Sequence, residues 1–359
     1  MKRSVGVWAG ALALATTLVL GGCANKADAE SVTVDFARAG AVETLVLAPS
    51  TPGHPALRPF LRSAYAAAGL DLDVTQVRNT ADLRTRVRDL EDHPPPTLVV
   101  ELPHSDQPAD ELAAVVKAGA SVLCLGERPQ VSTGMCSVFV GWDDWAGGFN
   151  QAAALTAALG QTEGRRWNVE SLGLAPDDKA GAARLRGTFV QRLPYRSDSP
   201  TITKTGRLYY TQVEVPDLDP GRATEQLSTT IQATYLNQPM DGLLLPTDDF
   251  IAPARAAFEL NRRPLPLMVS AGATPAGLKA LADGIVVATE YRDPKLLAHQ
   301  AALTLSTVRS GRPVVTSPRR DWENGFGEIP VVFITPVSVT LANAATTLAD
   351  APEMLAHLQ

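Results

Sequence analysis

Short apolar runs alternate with helix-patterned segments along most of this 359-residue chain, and this alternation constrains the fold more than any other feature. Thr44–Ala48, Thr97–Leu102 and Val122–Leu125 have the character of buried strands. The segments between them repeat apolar residues at helical spacing. Strands that alternate with helices indicate βαβ units, in which a parallel sheet carries helices on both faces. The sequence therefore predicts an α/β fold.

The second half of the chain repeats the pattern. Gly242–Leu245, Leu267–Val269 and Ile285–Ala288 predict further buried strands with helices between them. The chain is long enough for two domains, so we predict two lobes with parallel sheets and a cleft between them. In open α/β sheets, ligands bind beyond the carboxyl ends of the strands. The candidate binding residues are therefore those that follow each strand.

The composition excludes several classes of partner. Hydrophobic residues make up 45% of the chain and charged residues 19%, which is a globular balance rather than that of a disordered protein. The net charge is −6. Nucleic-acid binding needs clustered Lys and Arg to contact phosphates, so we expect no nucleic-acid partner.

The N-terminus has the pattern of an export signal. Lys2 and Arg3 precede the uncharged apolar run Val5–Leu20, which is short for a membrane-spanning helix. An uncleaved membrane anchor is the alternative. The following Leu-Gly-Gly-Cys resembles a bacterial lipobox, which implies that residues 1–22 are removed and that Cys23 carries lipid. The protein would then be held on the extracytoplasmic face of the cell membrane, with residues 23–41 as a tether.

Two cysteines remain in the body of the chain. Export to an oxidising compartment makes Cys124 and Cys136 a candidate disulfide. Two separate buried thiols are the alternative, since a free cysteine packs as a small hydrophobic residue.

No local signature of catalysis is present. The chain lacks a Gly-x-Ser-x-Gly elbow, a Walker loop, a His-Glu-x-x-His helix and a Cys-x-x-Cys pair. The five histidines are scattered without the spacing of metal ligands. We therefore expect no enzyme activity, no metal site and no cofactor.

Five segments, in order, resemble the periplasmic sugar-binding proteins of the ribose-binding type: Val140–Gly148, Ala183–Phe189, Pro246–Ala252, Ala288–Pro294 and Thr335–Asn343. The resemblance implies the type I periplasmic-binding fold, in which three crossovers join two Rossmann-like lobes. It places residues 42–142 and 293–320 in the N-terminal lobe, residues 143–292 and 321–345 in the C-terminal lobe, and residues 346–359 in a tail.

The resemblance also implies where ligand would bind. The ligand-binding candidates are Ser50, His54, Glu127, Arg128, Asp143, Trp145, Arg184, Asp248, Tyr291 and Arg292. Of these, Trp145 and Tyr291 are aromatic side chains able to stack on a ligand. Asp248 stands where the family has Asn, and Arg292 where sugar binders often have Gln. Ala271 and Gly272 replace an aromatic residue and an Asp. The arginines also allow an anionic ligand, since guanidinium pairs bidentately with carboxylate and phosphate.

The resemblance implies the solute-binding protein of an ABC importer. Such a protein would be monomeric, and its partners would be a small sugar-like molecule and the permease subunits. Two alternatives stay open. One is a module that presents its ligand to a membrane signalling receptor, and the other is a degenerate binding domain with an interaction role.

Overall fold

The computed structural model describes residues 31–48, 56–104, 106–129, 134–160, 166–173, 184, 207–214, 220–317 and 329–358. Across these residues two six-stranded sheets form the two predicted lobes. Each lobe has its own buried clusters of apolar side chains.

The N-terminal lobe is built on a sheet with the strand order β13-β6-β5-β4-β2-β3, in which every adjacent pair is parallel. Its strands and helices are β2 (Val42–Leu47), α1 (Leu57–Ala67), β3 (Thr75–Val77), α2 (Thr80–Asp89), β4 (Thr97–Leu102), α3 (Ala109–Lys117), β5 (Ser121–Gly126), β6 (Val138–Trp142), α8 (Pro294–Arg309) and β13 (Val331–Ile334). A short antiparallel ribbon pairs β1 (Ser31–Val32) with β12 (Val314–Val315).

The C-terminal lobe is built on a sheet with the strand order β14-β11-β10-β9-β7-β8, in which only β14 runs antiparallel to its neighbour. Its strands and helices are α4 (Asp144–Leu159), β7 (Arg166–Gly173), β8 (Arg207–Glu214), α5 (Pro220–Thr234), β9 (Gly242–Leu244), α6 (Ile251–Leu260), β10 (Leu267–Ala271), α7 (Pro275–Ala282), β11 (Val286–Tyr291), β14 (Val337–Val339), α9 (Ala344–Thr347) and α10 (Pro352–Leu355).

Amphipathic spacing explains how the helices cover the sheets. In α1, Leu57, Leu61 and Tyr65 recur every four residues and are buried. This face packs against α8, which returns from the other lobe. Burying a large apolar side chain contributes about 2 kcal/mol.

Three crossovers join the lobes within the described residues. The chain passes from β6 into α4, from β11 into α8, and from β13 into β14. The predicted α/β architecture of two parallel-sheet lobes is confirmed.

The structure differs from the predicted boundaries in three places. Val331–Ile334, expected in the C-terminal lobe, pairs in parallel with β6 of the N-terminal lobe, because the third crossover follows this strand. Residues 31–41, expected in the tether, are partly folded: Phe36 is buried in the N-terminal lobe. Residues 346–358, expected as a tail, place Leu348 and Met354 in the core of the C-terminal lobe. Each segment carries apolar side chains that a lobe buries.

Candidate functional site

A cluster of charged side chains lies at the seam between the lobes. Glu127 follows β5 of the N-terminal lobe, Asp144 begins α4, and Arg292 follows β11 at the second crossover. Glu290 lies near the end of β11. These positions lie at the carboxyl ends of strands or at crossovers, where α/β sheets bind their ligands.

Arg292 is the centre of this cluster. Its Nη1 donates to Oε1 of Glu127 at 2.9 Å, its Nη2 to Oδ1 of Asp144 at 2.6 Å, and its Nε to Oε1 of Glu290 at 2.9 Å. Its guanidinium also lies 5.8 Å from the ring centroid of Trp142. One side chain thus joins the N-terminal lobe, the first crossover and the second crossover.

Arg184 is the second cation of the seam. Its Nη2 lies 3.4 Å from Oδ1 of Asp144 and 3.3 Å from Oε1 of Glu290. Two glycines of α4 make room for these groups. A Cβ on Gly147 would lie 2.4 Å from Oε2 of Glu290, and a Cβ on Gly148 would lie 1.8 Å from the carbonyl oxygen of Arg184.

The ionisation of the cluster is set by burial and by the two guanidiniums. Burial opposes ionisation of Glu127, but the Arg292 guanidinium outweighs it and lowers the pKa of Glu127 to about 2. Burial likewise opposes ionisation of Glu290, whose pKa is nevertheless lowered by Arg184 and Arg292. Burial raises the pKa of Asp144, because desolvation there exceeds the attraction of the same two arginines. Arg292 itself has a pKa raised by its three carboxylates, against the effect of burial.

Sequence reasoning missed two polar residues on the N-terminal side of the seam. Glu101 lies within β4, and its Oε2 accepts a hydrogen bond from the amide of Leu47 at 2.8 Å. Burial, together with the neighbouring Glu127, raises the pKa of Glu101 to about 7. His104 follows β4, and its Nδ1 lies 3.5 Å from Oε2 of Glu127. The rule that binding residues follow strands would have found His104, whereas Glu101 lies inside an apolar run.

Asp248 is buried inside the C-terminal lobe rather than presented at the seam. Its Oδ1 accepts hydrogen bonds from Oγ of Ser270 at 2.5 Å and Oγ1 of Thr289 at 2.9 Å. Its Oδ2 accepts from the amide of Thr274 at 2.8 Å and from Oγ1 of the same residue at 3.0 Å. The carboxylate therefore ties the turn after β9 to β10, β11 and the start of α7.

Asp143 and Trp145 lie at the first crossover. Oδ1 of Asp143 accepts from the amide of Ala146 at 3.0 Å and caps α4, which is the ordinary role of Asp before a helix. Trp145 stacks on Phe149 one helical turn later, with ring centroids 5.7 Å apart. These contacts order the start of α4.

Arg128 and Tyr291 contact groups within their own lobes. The Arg128 guanidinium lies 6.0 Å from the ring centroid of Phe333 in β13. Tyr291 packs against the core of the C-terminal lobe. Burial and then the carboxylate of Asp293 raise the pKa of the Tyr291 phenol.

The loop that carries Glu127 is closed by a disulfide. Cys124 and Cys136 are bonded, with their Cα atoms 5.8 Å apart and a sequence separation of 12. Closing a loop of this size contributes about 3 kcal/mol in the chain-entropy model. The other candidates, Ser50, His54 and Cys23, lie outside the described residues.

The described residues contain neither a candidate membrane span nor a candidate metal cluster. None of their helices is both long enough and apolar enough to cross a membrane. No group of three or more His, Cys, Asp or Glu side chains among them has the arrangement of a metal site. The seam offers carboxylate acceptors and guanidinium donors, which is the chemistry of hydrogen bonding to a polar solute.

Comparisons with known proteins identify the family of this chain. The model of the periplasmic binding protein domain family matches residues 31–313. The multiple sugar-binding periplasmic receptor ChvE of Rhizobium radiobacter is 21% identical over 67% of this chain and 70% of its own length. The multiple sugar-binding periplasmic protein SbpA of Azospirillum brasilense is 24% identical over 58% of this chain and 60% of its own length.

A solved structure shows the same fold. An ABC transporter solute-binding protein from Clostridium phytofermentans, with bound β-D-glucose, superposes with a TM-score of 0.69 at 17% identity. The alignment covers 89% of this chain and 99% of that one. The chain therefore belongs to the periplasmic binding protein family, a family of solute-binding proteins rather than enzymes, and has its type I fold.

Proposed function

We propose that this chain is the extracytoplasmic solute-binding protein of an ABC importer and that it binds a sugar or polyol at the seam between its lobes. The observation that carries the proposal is the position of the charged cluster. The cluster lies where the carboxyl ends of strands from both sheets meet two crossovers, and it consists of Glu127, Asp144, Glu290 and Arg292. The sugar-binding relatives and the glucose-bound structure support the choice of ligand class.

Binding would proceed by hinge closure of the two lobes. Sugar hydroxyls would donate to the carboxylates of the seam, because a buried polar group needs a hydrogen-bond partner. The permease would then recognise the closed form, whose population the ligand increases through its higher affinity for that form.

The charges of the seam favour a ligand without a negative charge. All three nitrogens of Arg292 already donate to carboxylates, and Nη2 of Arg184 lies between Asp144 and Glu290. An incoming carboxylate or phosphate would have to displace one of these groups. The sequence suggested an anionic ligand from the arginines alone, and their pairing supports a neutral sugar instead.

The export signal and lipobox-like segment support anchoring through lipid on Cys23. Cells that express the full chain and a Cys23→Ala variant should be grown with radiolabelled palmitate. We expect label and membrane association for the full chain and neither for the variant. Equal labelling of the full chain and the variant would contradict a lipid anchor on Cys23 and would leave the proposal for the ligand unchanged.

The decisive experiment for the ligand is a thermal-shift and calorimetry screen of the mature chain against sugars, polyols, sugar acids and nucleosides. A ligand at a hundredfold excess over its dissociation constant should stabilise the fold by about 2.7 kcal/mol. Asp249→Asn, at an exposed position beside the buried Asp248, is the matched control and should bind as the parent does. No stabilisation by any compound would overturn the proposal.

A second candidate function is that of a degenerate domain with an interaction role. The observation that favours it is the mutual pairing of the charged side chains at the seam, where Arg292 alone contacts three carboxylates. A folded protein that no compound in the screen stabilises, and that copurifies with membrane components, would support this second function.

A further inference from the structure

The loops that follow β4 and β5 of the N-terminal lobe meet beside the seam. Glu127 has left the sheet, because β5 ends at Gly126, whose φ of 84° turns the chain into the left-handed region. His104 lies beyond the end of β4, and its Nδ1 is 3.5 Å from Oε2 of Glu127. Neither member of this pair is carried by a strand or a helix, so the backbone beside it needs another support.

The buried amide of Gln107 supplies that support. The residue is 8% exposed, and its Nε2 donates to the carbonyl oxygen of Pro103 at 2.8 Å and to that of Arg128 at 3.0 Å. Pro103 immediately precedes His104, and Arg128 immediately follows Glu127. One amide therefore fixes the backbone next to each member of the pair.

Gln107 is itself held by two helices. Its carbonyl oxygen accepts from the amide of Ala109, the first residue of α3, at 2.8 Å. The same oxygen accepts from Nη2 of Arg84 in α2 at 3.1 Å, and this nitrogen also donates to the carbonyl oxygen of Asp106 at 3.3 Å. Asp106 has a φ of 54°, which is uncommon for a residue other than glycine and indicates that the surroundings impose this turn. The amide of Gln107 thus extends from a fixed base.

The support reaches the seam through Glu127. Its Oε1 accepts from Nη1 of Arg292 at 2.9 Å, which joins the N-terminal lobe to the second crossover. Resting on the proposed function, we propose that Gln107 is a positioning residue of the binding site, whose amide holds His104 and Glu127 where Glu127 reaches Arg292. A ligand that hydrogen-bonds to Glu127 would therefore bind more weakly without this amide, because binding groups depend on the shell that orients them.

The test replaces the amide and measures Glu127 without any ligand. Burial opposes ionisation of Glu127, but the charges of Arg292, His104 and Arg184 lower its pKa to about 2. In Gln107→Met, which removes the donors at nearly the same side-chain length, we expect this pKa to rise by about 1–2 pH units as the distances to the cations grow. The measurement is an NMR titration of the mature chain with 13C-labelled glutamate, in which the spectrum of Glu127→Gln identifies the signal.

Gln151 provides a matched control in the other lobe. It is 3% exposed, and its Nε2 donates to two backbone carbonyl oxygens, those of Leu245 at 3.3 Å and Ser270 at 3.0 Å. Gln151→Met should therefore lower the melting temperature about as much as Gln107→Met does, since both lose the same kind of buried hydrogen bonds. It should leave the titration of Glu127 as in the parent, which separates positioning from a general loss of stability.

A second variant covers the case in which Gln107→Met does not fold. Gln107→Asn keeps an amide but is one methylene shorter, so it cannot span the two carbonyl oxygens and should raise the pKa of Glu127 by a smaller amount. A pKa of Glu127 that is unchanged in the folded Gln107 variants, or that rises equally in Gln151→Met, would overturn the inference.

These outcomes are independent of the ligand screen. An unchanged titration of Glu127 in a protein that binds sugar would overturn the inference and leave the proposed function standing. A parent chain that no compound stabilises would overturn the proposed function, while a rise confined to the Gln107 variants would still show that this amide orients Glu127.

Discussion

Nη1 of Arg292 donates to Oε1 of Glu127 at 2.9 Å, and this bond joins the second crossover to the loop after β5. The same guanidinium contacts Asp144 at the first crossover. Ion pairs of one guanidinium therefore connect the two crossovers and the N-terminal lobe.

Replacing Arg292 with Gln should lower the free energy of unfolding by about 3–5 kcal/mol, because three buried or partly buried carboxylates lose their shared cation. Denaturant unfolding followed by circular dichroism measures the change. The control is Arg62→Gln, which removes an exposed ion pair to Asp73 and should cost no more than about 1 kcal/mol. Similar losses of unfolding free energy in the two variants would contradict a stabilising role for the pairing of Arg292 with its three carboxylates.

Replacing Asp248 with Asn should destabilise the C-terminal lobe by about 1–3 kcal/mol, since the new amide NH2 faces hydrogen-bond donors. The donors belong to Ser270, Thr274 and Thr289. Urea unfolding of this variant is compared with that of the exposed Asp249→Asn. A variant as stable as its control, but with weakened ligand binding, would show that Asp248 faces the ligand after all.

Replacing Gly148 with Ala should destabilise the protein, although the same change in an open helix gains about 1 kcal/mol. The reason is steric, because the new Cβ would lie 1.8 Å from the carbonyl oxygen of Arg184. Overpacking of this kind costs about 1–3 kcal/mol. The control is Ala157→Gly at an exposed position of the same helix, which measures the effect of helix propensity alone on stability. A gain in the melting temperature of Gly148→Ala would show that Arg184 does not pack there.

Stability should fall as the pH rises from about 4.5 to about 7, through the contribution of Glu101. The folded-state pKa of Glu101 is raised to about 7, so its contribution is complete below the ordinary pKa of a glutamate and is lost as the pH passes the raised value. Glu127 behaves oppositely, since its pKa is lowered to about 2 and its contribution is lost only in acid.

The free energy of unfolding of the Glu101→Gln variant should therefore decline less than that of the parent between about pH 4.5 and about pH 7. At pH 8 the variant should be more stable than the parent by up to about 3 kcal/mol. The measurement is the melting temperature at half-unit steps of pH, with the exposed Glu225→Gln as control. Parallel profiles for Glu101→Gln and the parent would rule out ionisation of Glu101 as the cause.

Local pattern predicted the strands and helices well because alternation of apolar runs is a property of neighbouring residues. The pairing of β13 with the sheet of the N-terminal lobe was not predicted, because it depends on the topology of the chain. A strand of four apolar residues suits either sheet, and only pairing with Phe139–Trp142 assigns it. The burial of Met354 was missed similarly, because two short terminal helices carry little periodicity.

The charged residues of the seam were predicted in part. Glu127 and Arg292, which follow strands, come together there with Arg184, which the family resemblance placed at the start of a helix. Asp248 follows a strand too, yet its carboxylate points into the lobe, where donors from three segments surround it. Residue type and position along the chain do not determine the direction of a side chain.

The sequence by itself determined the α/β class, the two lobes and the charged residue types that reach the seam, since these depend on local periodicity and on where strands end. Only the tertiary structure decided that Arg184 and Arg292 are paired with carboxylates and that Asp248 is turned into the C-terminal lobe. Those facts depend on distances of a few ångströms between residues up to 165 positions apart, which no local pattern encodes.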